Sequence, residues 1–215
     1  MYKDKPFPNL SLDDFVENET LVRAAAESFE QINDWVEYGG EGSGQVQYCS
    51  KLGRDKYPPA ALKVLDYICE NFNPNDYFPK KYDCFPDFEF YGGGMMNTPN
   101  RNDEGGYLGM HVDASHHGVH TNWVRCYSVI LCISEDYDES FDLNLFDGDI
   151  NHGKMKYKFN TLNVFECSAN SWHGLPEISK GLDRKALGVV YWRISENDDT
   201  PMLKAKFYNQ MELFK

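Results

Sequence analysis

The sequence predicts a mainly β protein with helices: a double-stranded β-helix, or jelly-roll, core that N-terminal helices buttress on one side. Two observations support this prediction. The first third of the chain carries apolar residues at helical spacing, whereas the remainder carries short runs in which apolar and polar residues alternate. Turn-rich loops separate these runs, and no repeat of fixed period occurs, which favours a jelly-roll over a solenoid.

Two amphipathic helices are predicted in the N-terminal third. The first runs from about Asp13 to Val36, where apolar residues recur at helical spacing, with a break near Asn18 as the alternative. Asn9 or Ser11 is positioned to cap it. The glycine-rich segment 38–44 then forms a loop, because glycine maximises backbone freedom. The second helix runs from Ala60 to Phe72.

The chain becomes strand-rich from residue 84. Residues 85–91 form the first alternating run, and the polar segment 92–106, rich in glycine and asparagine, is predicted to be irregular and long enough to be a mobile flap. Later strands are predicted at residues 107–113, 125–134, 141–146, 161–168 and 185–194. We therefore expect one domain over residues 1–215, with 1–83 as helical support, 84–195 as the jelly-roll core and 196–215 as a C-terminal extension.

Composition narrows the classes of partner. The 34 acidic and 21 basic residues give a net charge of −13, which repels phosphate backbones and argues against a nucleic-acid partner. Six scattered cysteines without a CxxC pair predict reduced thiols inside the cell. The N-terminus lacks a signal-peptide core, and no apolar run approaches the roughly 18 residues of a membrane span. These features predict a cytoplasmic protein without a membrane partner, and they make no prediction of oligomeric state.

The most informative motif is His111-Val112-Asp113. Residues two apart on a strand point to the same side, so His111 and Asp113 share one face. In isolation, the usual structural explanation is a buried histidine bonded to an aspartate. If His173 lies on a neighbouring strand, however, the three residues form the two-histidine, one-carboxylate triad typical of non-haem Fe(II) oxygenases.

This ordered set resembles the Fe(II)- and 2-oxoglutarate-dependent dioxygenases, especially the prolyl-4-hydroxylase-like branch. Their pattern is HxD, a distal histidine, and then an arginine or lysine about ten residues later. The resemblance covers roughly residues 87–193 and implies that His111, Asp113 and His173 bind Fe(II). It also implies that Arg184 pairs with the distal carboxylate of 2-oxoglutarate, for which a planar guanidinium offers two parallel hydrogen bonds.

The same resemblance implies further cofactor contacts. Ser128 stands where a hydroxyl often contacts the cofactor carboxylate, with a purely structural serine as the alternative. Tyr91 matches a tyrosine that lies near the cofactor, but segment 95–104 lengthens the gap to HxD, so Tyr107 competes for this role. Packing of a buried aromatic ring is the alternative for both tyrosines.

Other residues are predicted to face the substrate. His116 and Trp123 lie in the loop after HxD together with His117 and His120, and this loop is interpreted as substrate-facing in preference to a second metal site. Alternation along the last strand places Ala186, Gly188, Val190 and Trp192 on the same face as the predicted cofactor arginine.

The resemblance implies a hydroxylase that uses Fe(II), O2 and 2-oxoglutarate and releases succinate and CO2, with ascorbate as a further candidate cofactor. Its expected substrate is a peptidyl proline or another small-molecule or peptide substrate. Segment 141–146 departs from the family's usual letters, which leaves the substrate class open. Two alternatives are a non-catalytic metal-binding jelly-roll and a cupin-type metalloenzyme that does not use 2-oxoglutarate.

Overall fold

The computed structural model describes residues 1–39, 45–50, 53–101, 104–195 and 204–208. Its strands are β1 Tyr2–Lys3, β2 Asn9–Leu12, β3 Trp35–Gly39, β4 Gln45–Ser50, β5 Phe85–Pro86, β6 Gly94–Arg101, β7 Glu104–Gly105, β8 Tyr107–Val112, β9 Trp123–Cys132, β10 Leu143–Asp147, β11 Ile150–Met155, β12 Leu162–Glu166, β13 Trp172–Leu175, β14 Asp183–Ile194 and β15 Lys206–Phe207. The α-helices are α1 Glu19–Glu27 and α2 Pro59–Asn71, and short 3-10 helices span Ser28–Gln31, Arg54–Lys56, Pro74–Asp76 and Glu139–Phe141.

All strand pairs among the described residues are antiparallel. Most follow one curled path, in the order β1-β2-β12-β9-β14-β6-β4-β8-β13-β10-β11, and β3, β5, β7 and β15 pair with β4, β14, β6 and β8 at the side of this path. We call β12, β9, β14 and β6 the major sheet and β8, β13, β10 and β11 the minor sheet. The two sheets face each other, because Leu143, Leu145 and Met155 of the minor sheet pack in one buried cluster with Phe165 of the major sheet. This arrangement confirms the predicted jelly-roll core.

The two α-helices cover the outer face of the major sheet. Val22 of α1 and Leu65 and Ile68 of α2 belong to the same buried cluster as Val129 of β9 and Leu187 of β14. Burial of such side chains contributes about 1.5–3 kcal/mol each, so this layer stabilises the sheet that forms one wall of the core. In the part of the chain that the structure describes, neither helix is long and apolar enough to cross a membrane.

The first helix is much shorter than predicted. The Asn18 side chain accepts a hydrogen bond from the backbone N–H of Leu21 at 3.2 Å and caps α1, so the helix does not begin near Asp13. It ends at Glu27, and Val36 lies in β3. Asn9 and Ser11, the predicted caps, lie in β2 and pair with β12. The helical prediction Asp13–Val36 is wrong in extent because the sheet edge supplies hydrogen-bond partners that a periodicity argument does not include.

The predicted strand at residues 85–91 is also too long. Only β5 forms, because the Asp87 carboxylate turns the chain: its two oxygens accept hydrogen bonds from the backbone N–H groups of Glu89 at 2.9 Å and Tyr91 at 3.0 Å.

The prediction that segment 92–106 is irregular is wrong. Residues 94–99 pair with residues 183–188 of β14 in continuous antiparallel register, and Met95 and Thr98 are completely buried. Glycine and asparagine favour turns, but the open edge of β14 provides the backbone partners that decide the conformation.

The remaining boundaries lie close to the predictions. α2 spans Pro59–Asn71, and β8, β9, β10, β12 and β14 fall within two residues of their predicted starts and ends. Strand β11 was not predicted, β13 was considered only as a condition for the triad, and residues 1–83 supply β1–β4 as well as the helices. The predicted loop at 38–44 lies mostly outside the described residues. The division into a single domain stays a prediction.

Candidate metal centre

Two histidines meet across neighbouring strands of the minor sheet. His111 of β8 lies directly opposite His173 of β13 in the antiparallel register, and their ring centroids are 4.2 Å apart. Both residues are buried. The condition on which the sequence prediction rested, that these two segments are neighbouring strands, is therefore met.

Backbone carbonyls orient both imidazole rings. Nδ1 of His111 lies 2.9 Å from the carbonyl oxygen of Gly109, and Nδ1 of His173 lies 2.9 Å from that of Ser171. A carbonyl oxygen only accepts hydrogen bonds, so each Nδ1 must carry the proton. In the neutral rings each Nε2 then keeps a free lone pair, which is the state that a metal ion requires.

Asp113 follows β8 and completes the group. Its Oδ1 lies 3.5 Å from Nε2 of His111 and 4.0 Å from Nε2 of His173, and the three candidate ligand atoms all lie within 4.8 Å of one another. Its other oxygen, Oδ2, accepts hydrogen bonds from Arg125 at 2.8 Å and from the hydroxyl of Ser128 at 2.9 Å. Oδ1 is thus left to face the two Nε2 atoms.

Electrostatics keeps these ligands in the metal-binding state. Burial by itself would raise the pKa of Asp113, but the adjacent Arg125 guanidinium, together with the neighbouring His111 and His173, outweighs it and holds that pKa well below its usual value. Burial lowers the pKa of His173 to about 4, and the neighbouring His111 acts in the same direction. Both groups therefore present free electron pairs at neutral pH.

The triad lies in a cavity of about 190 Å³ between the two sheets. This volume suits a small organic acid better than a drug-sized ligand, whose sites measure about 300–1,000 Å³. Besides the triad, Arg184, Gly188 and Val190 of β14 line the cavity. Alternation along the strand predicted that these three residues share one face.

Arg184 is a buried cation. Its Nε donates to the carbonyl oxygen of Phe141 at 3.0 Å, and its guanidinium carbon lies 3.6 Å from the ring centroid of Tyr157. Within the described ranges no carboxylate lies at ion-pair distance from it. A buried charge without an opposite charge is costly, so an anionic ligand in this cavity would relieve the imbalance.

The two candidate tyrosines lie outside this cavity. Tyr91 is 44% exposed, and its ring packs against His117 with centroids 4.1 Å apart. Tyr107 lines a separate cleft between the outer sheet surface and the 3-10 helix after α1. A bulge in β8 explains why the Tyr107 side chain points away from the cavity. His111 pairs with His173 and Leu108 pairs with Leu175, so three residue steps on β8 match two on β13. Strict alternation is therefore lost between Tyr107 and His111.

The predicted substrate-facing residues lie outside the cavity that holds the triad. Trp192 is completely buried, and the Arg125 guanidinium carbon lies 5.3 Å from its ring centroid. His116 is buried and bonded to the Ser115 hydroxyl, whereas Trp123 packs edge-on against Phe85. Among the described residues none of these three lines the cavity that holds the triad.

Sequence reasoning missed Arg125. A bulge in β9 at Cys126, opposite the step from Tyr191 to Trp192 in β14, turns Arg125 to the side of Ser128, although the two are three residues apart. Its signal in the sequence was a charged residue at the start of an otherwise apolar strand. Ser128 lines the cavity and donates to Asp113 in this structure, and its expected contact with a cofactor carboxylate stays a prediction.

Solved structures of oxygenases share this fold. A prolyl hydroxylase from Trichoplax adhaerens, in complex with a hypoxia inducible factor oxygen degradation domain peptide fragment, matches with a TM-score of 0.61 and 14% identity over 86% of this chain and 83% of that chain. A Pseudomonas putida prolyl-4-hydroxylase matches with a TM-score of 0.58 and 16% identity over 87% and 92%. HygX from Streptomyces hygroscopicus, with nickel and 2-oxoglutarate bound, matches with a TM-score of 0.56 and 8% identity over 94% and 92%.

No protein-family model and no curated protein sequence matches the chain. At the low identities of the structural matches, the similarity is one of fold. The chain therefore has the fold of the 2-oxoglutarate/Fe(II) oxygenases, including their prolyl hydroxylases, as the motif resemblance predicted.

Proposed function

We propose that this chain, built on the fold of the 2-oxoglutarate/Fe(II) oxygenases, is a 2-oxoglutarate-dependent dioxygenase that hydroxylates a peptide or small-molecule substrate. One observation carries the proposal. A buried histidine–aspartate–histidine triad and the buried Arg184, which has no carboxylate partner among the described residues, line the same cavity.

The donor set fits Fe(II). Two imidazole Nε2 atoms and one carboxylate oxygen form the facial arrangement that non-haem iron oxygenases use, and this set leaves coordination positions for other ligands. When bound, iron would supply the activation of O2 that amino-acid side chains cannot perform. His111, Asp113 and His173 would hold it, and Arg125 and Ser128 would keep Asp113 in its orientation.

Arg184 is the residue proposed to bind the distal carboxylate of 2-oxoglutarate. Its guanidinium suits two parallel hydrogen bonds to a carboxylate, and the absence of a side chain on Gly188 leaves space beside it. Apolar side chains, including Ile130, Leu143 and Leu175, form other parts of the wall and exclude water from the acid.

The finer substrate assignment follows the structural neighbours. One of them is a prolyl hydroxylase that carries a peptide fragment, which supports a peptide substrate and, within that class, a peptidyl proline. O2 as co-substrate, and ascorbate as an accessory reductant, belong to the same proposal and need direct assay.

The test is turnover of 2-oxoglutarate. Protein loaded anaerobically with Fe(II) and 2-oxoglutarate should release succinate on exposure to air, and Arg184→Met should raise the half-saturating 2-oxoglutarate concentration at least about 30-fold, because a buried charge pair is broken. Lys185→Met is the matched control, since Lys185 pairs with Glu30 at 3.2 Å on the outer surface. Iron binding without succinate release would overturn the enzyme assignment in favour of a non-catalytic barrel. Turnover unaffected by Arg184→Met would overturn the 2-oxoglutarate assignment in favour of a cupin-type enzyme.

A further inference from the structure

Two different strands, β4 and β15, pair with successive parts of one edge of β8 beside the triad. β13 pairs with one edge of β8, and on the opposite edge β4 pairs only with Tyr107 and Leu108. Beyond that point the edge is taken by β15, in which Phe207 lies opposite His111 and Lys206 lies opposite Val112. A stretch of strand edge next to the metal ligands is thus available for pairing with an extended segment.

Side chains of this segment alternate between the cavity and a surface tryptophan. The Phe207 ring stacks on the imidazole of His111, with centroids 5.0 Å apart and an interplanar angle of 16°, and it lines the cavity of the triad. On the other side, Nζ of Lys206 lies 5.6 Å from the ring centroid of Trp172, against which Tyr208 packs edge-on at 6.1 Å. The residue at the position of Phe207 is therefore the one presented to the triad.

The contact of residues 204–208 with β8 is short. It comprises two register pairs and one flanking hydrogen bond, which the backbone N–H of Tyr208 donates to the carbonyl oxygen of Met110 at 2.8 Å. Lys204, Ala205 and Lys206 are exposed. Among the described residues this strand has few bonds to β8, so its pairing opens at low cost and another segment of the same geometry can replace it.

We propose that this edge of β8 binds an extended, basic peptide by antiparallel strand addition, and that residues 204–208 occupy the edge when that peptide is absent. Main-chain hydrogen bonds supply the affinity and alternate side-chain pockets the selectivity in this mode of binding. A cation before the cavity-facing residue fits, because the Trp172 face accepts one and the net charge of −13 attracts basic peptides. This inference rests on the proposed function, because the bound peptide is a substrate only if the chain is a dioxygenase.

The experiment uses the full chain and a fluorescein-labelled peptide of the sequence Lys-Ala-Lys-Phe-Tyr, which copies residues 204–208. Tyr208→Pro removes the N–H that bonds Met110 and the ring that packs on Trp172. If the internal segment occupies the edge about nine-tenths of the time, this variant binds the probe about tenfold more tightly than the wild-type protein does. Lys204→Ala, at an exposed residue before β15, should bind the probe as the wild type does.

Equal affinity of the wild type and a folded Tyr208→Pro variant for the probe overturns the proposal. Equal affinity for a probe whose nitrogens at the positions of Lys206 and Tyr208 are methylated also overturns it, because these two N–H groups face β8 in the antiparallel register and that probe cannot form the strand ladder. Should Tyr208→Pro fail to fold by circular dichroism, Phe207→Ala, which keeps the backbone and removes the His111 stack, replaces it with the same expected direction.

Fluorescence anisotropy is measured without iron or 2-oxoglutarate, which keeps this test separate from the succinate assay. Probe binding in a protein that releases no succinate would leave the docking edge in place and remove the oxygenase. Succinate release without any probe binding would support the oxygenase and overturn the docking edge.

Discussion

Two regions of the described molecule place a buried histidine and a second histidine near an aspartate, and only one of them is arranged to hold a metal. The first is the triad of His111, Asp113 and His173. The second, which we call the loop cluster, comprises Asp87, His117 and His120. In the triad each Nδ1 donates to a backbone carbonyl, so both Nε2 atoms keep lone pairs that face Asp113.

In the loop cluster, His117 is the opposite tautomer to the two histidines of the triad. Nδ1 of His117 accepts hydrogen bonds from the backbone N–H groups of Val119 and His120, each at 3.0 Å, so its Nε2 must carry the proton. That nitrogen lies 3.6 Å from Oδ2 of Asp87, and both Asp87 oxygens already accept backbone N–H groups. The group that bonds Nδ1 thus decides whether a histidine can bind a metal through Nε2. A carbonyl at Nδ1 leaves Nε2 free to bind, whereas N–H donors at Nδ1 place the proton on Nε2. Among the described residues the triad is the one group of three that meets metal-binding geometry.

The largest difference in metal affinity is expected between alanine substitutions of the two aspartates, Asp113 and Asp87. Asp113→Ala should lower the affinity for Mn(II), a stand-in for Fe(II), by more than about 100-fold, since it removes a ligand where loss of a mere supporting partner costs 10–100-fold. Asp87→Ala should keep that affinity and instead reduce the free energy of unfolding by about 1–3 kcal/mol, because two backbone N–H groups lose their acceptor. Isothermal titration and urea unfolding measure the two quantities. Comparable losses of metal affinity in both variants would contradict the distinction.

Acidification of the metal-free protein should give the next largest effect. His173 has a pKa lowered to about 4 against an ordinary value of 6.5, so below pH 6.5 the unfolded chain takes up a proton that the folded chain does not. Stability should therefore be constant above about pH 6.5 and fall by up to about 3 kcal/mol as the pH decreases to about 4.

Urea unfolding across this pH range measures the change. His173→Gln should flatten most of the slope, whereas His117→Gln should flatten less of it, because the pKa of His117 is lowered by burial but partly restored by Asp87. A slope that His173→Gln leaves intact would show that other groups control the response.

Arg125→Met tests the support of the triad. The variant removes the cation 2.8 Å from Oδ2 of Asp113, and we expect a 10–100-fold lower Mn(II) affinity. Arg54→Met is the matched control, since that arginine pairs with Asp66 of α2 at 2.6 Å and has no contact with the triad. Unchanged affinity in Arg125→Met would mean that Ser128 alone orients the carboxylate.

The smallest effect is expected from the tyrosines. Tyr91→Phe, beside the loop cluster, and Tyr107→Phe should each leave the affinity for 2-oxoglutarate within about twofold, as is usual for surface substitutions. Ser128→Ala, which removes a donor to Asp113, should by contrast weaken Mn(II) binding about tenfold. A large loss in either tyrosine variant would restore the cofactor contact that the motif resemblance implies.

Strand alternation predicted the site wherever the strands are regular. It placed Arg184, Gly188 and Val190 on one face of β14, and all three line the cavity, although Val189 of the other face also borders it and Trp192 of the same face does not. It failed at the bulges, where Tyr107 turns away from the face of His111 and Arg125 turns towards the face of Ser128. A bulge depends on how many residues the partner strand offers, and one strand's sequence does not contain that number.

Local patterns also predicted α2 and most of the later strands but misjudged the chain near sheet edges. Residues 9–12 and 94–99 form strands because β12 and β14 offer backbone groups for pairing. The local sequences of these two segments favoured a helix cap and a loop. Propensity is worth a few tenths of a kcal/mol per residue, which a ladder of backbone hydrogen bonds readily exceeds.

The sequence by itself determined which residue types arrive in which order: His, Asp, a distal His and then Arg, on segments whose periodicity favours strands. Only the tertiary structure decided that His111 and His173 face each other, which ring nitrogen of each is free, that Arg125 and Ser128 hold Asp113, and that β15 covers the edge of β8. The physical reason is range. Periodicity is a property of neighbouring residues, whereas tautomers, ion pairs and strand registers are set by backbone groups that come from distant parts of the chain.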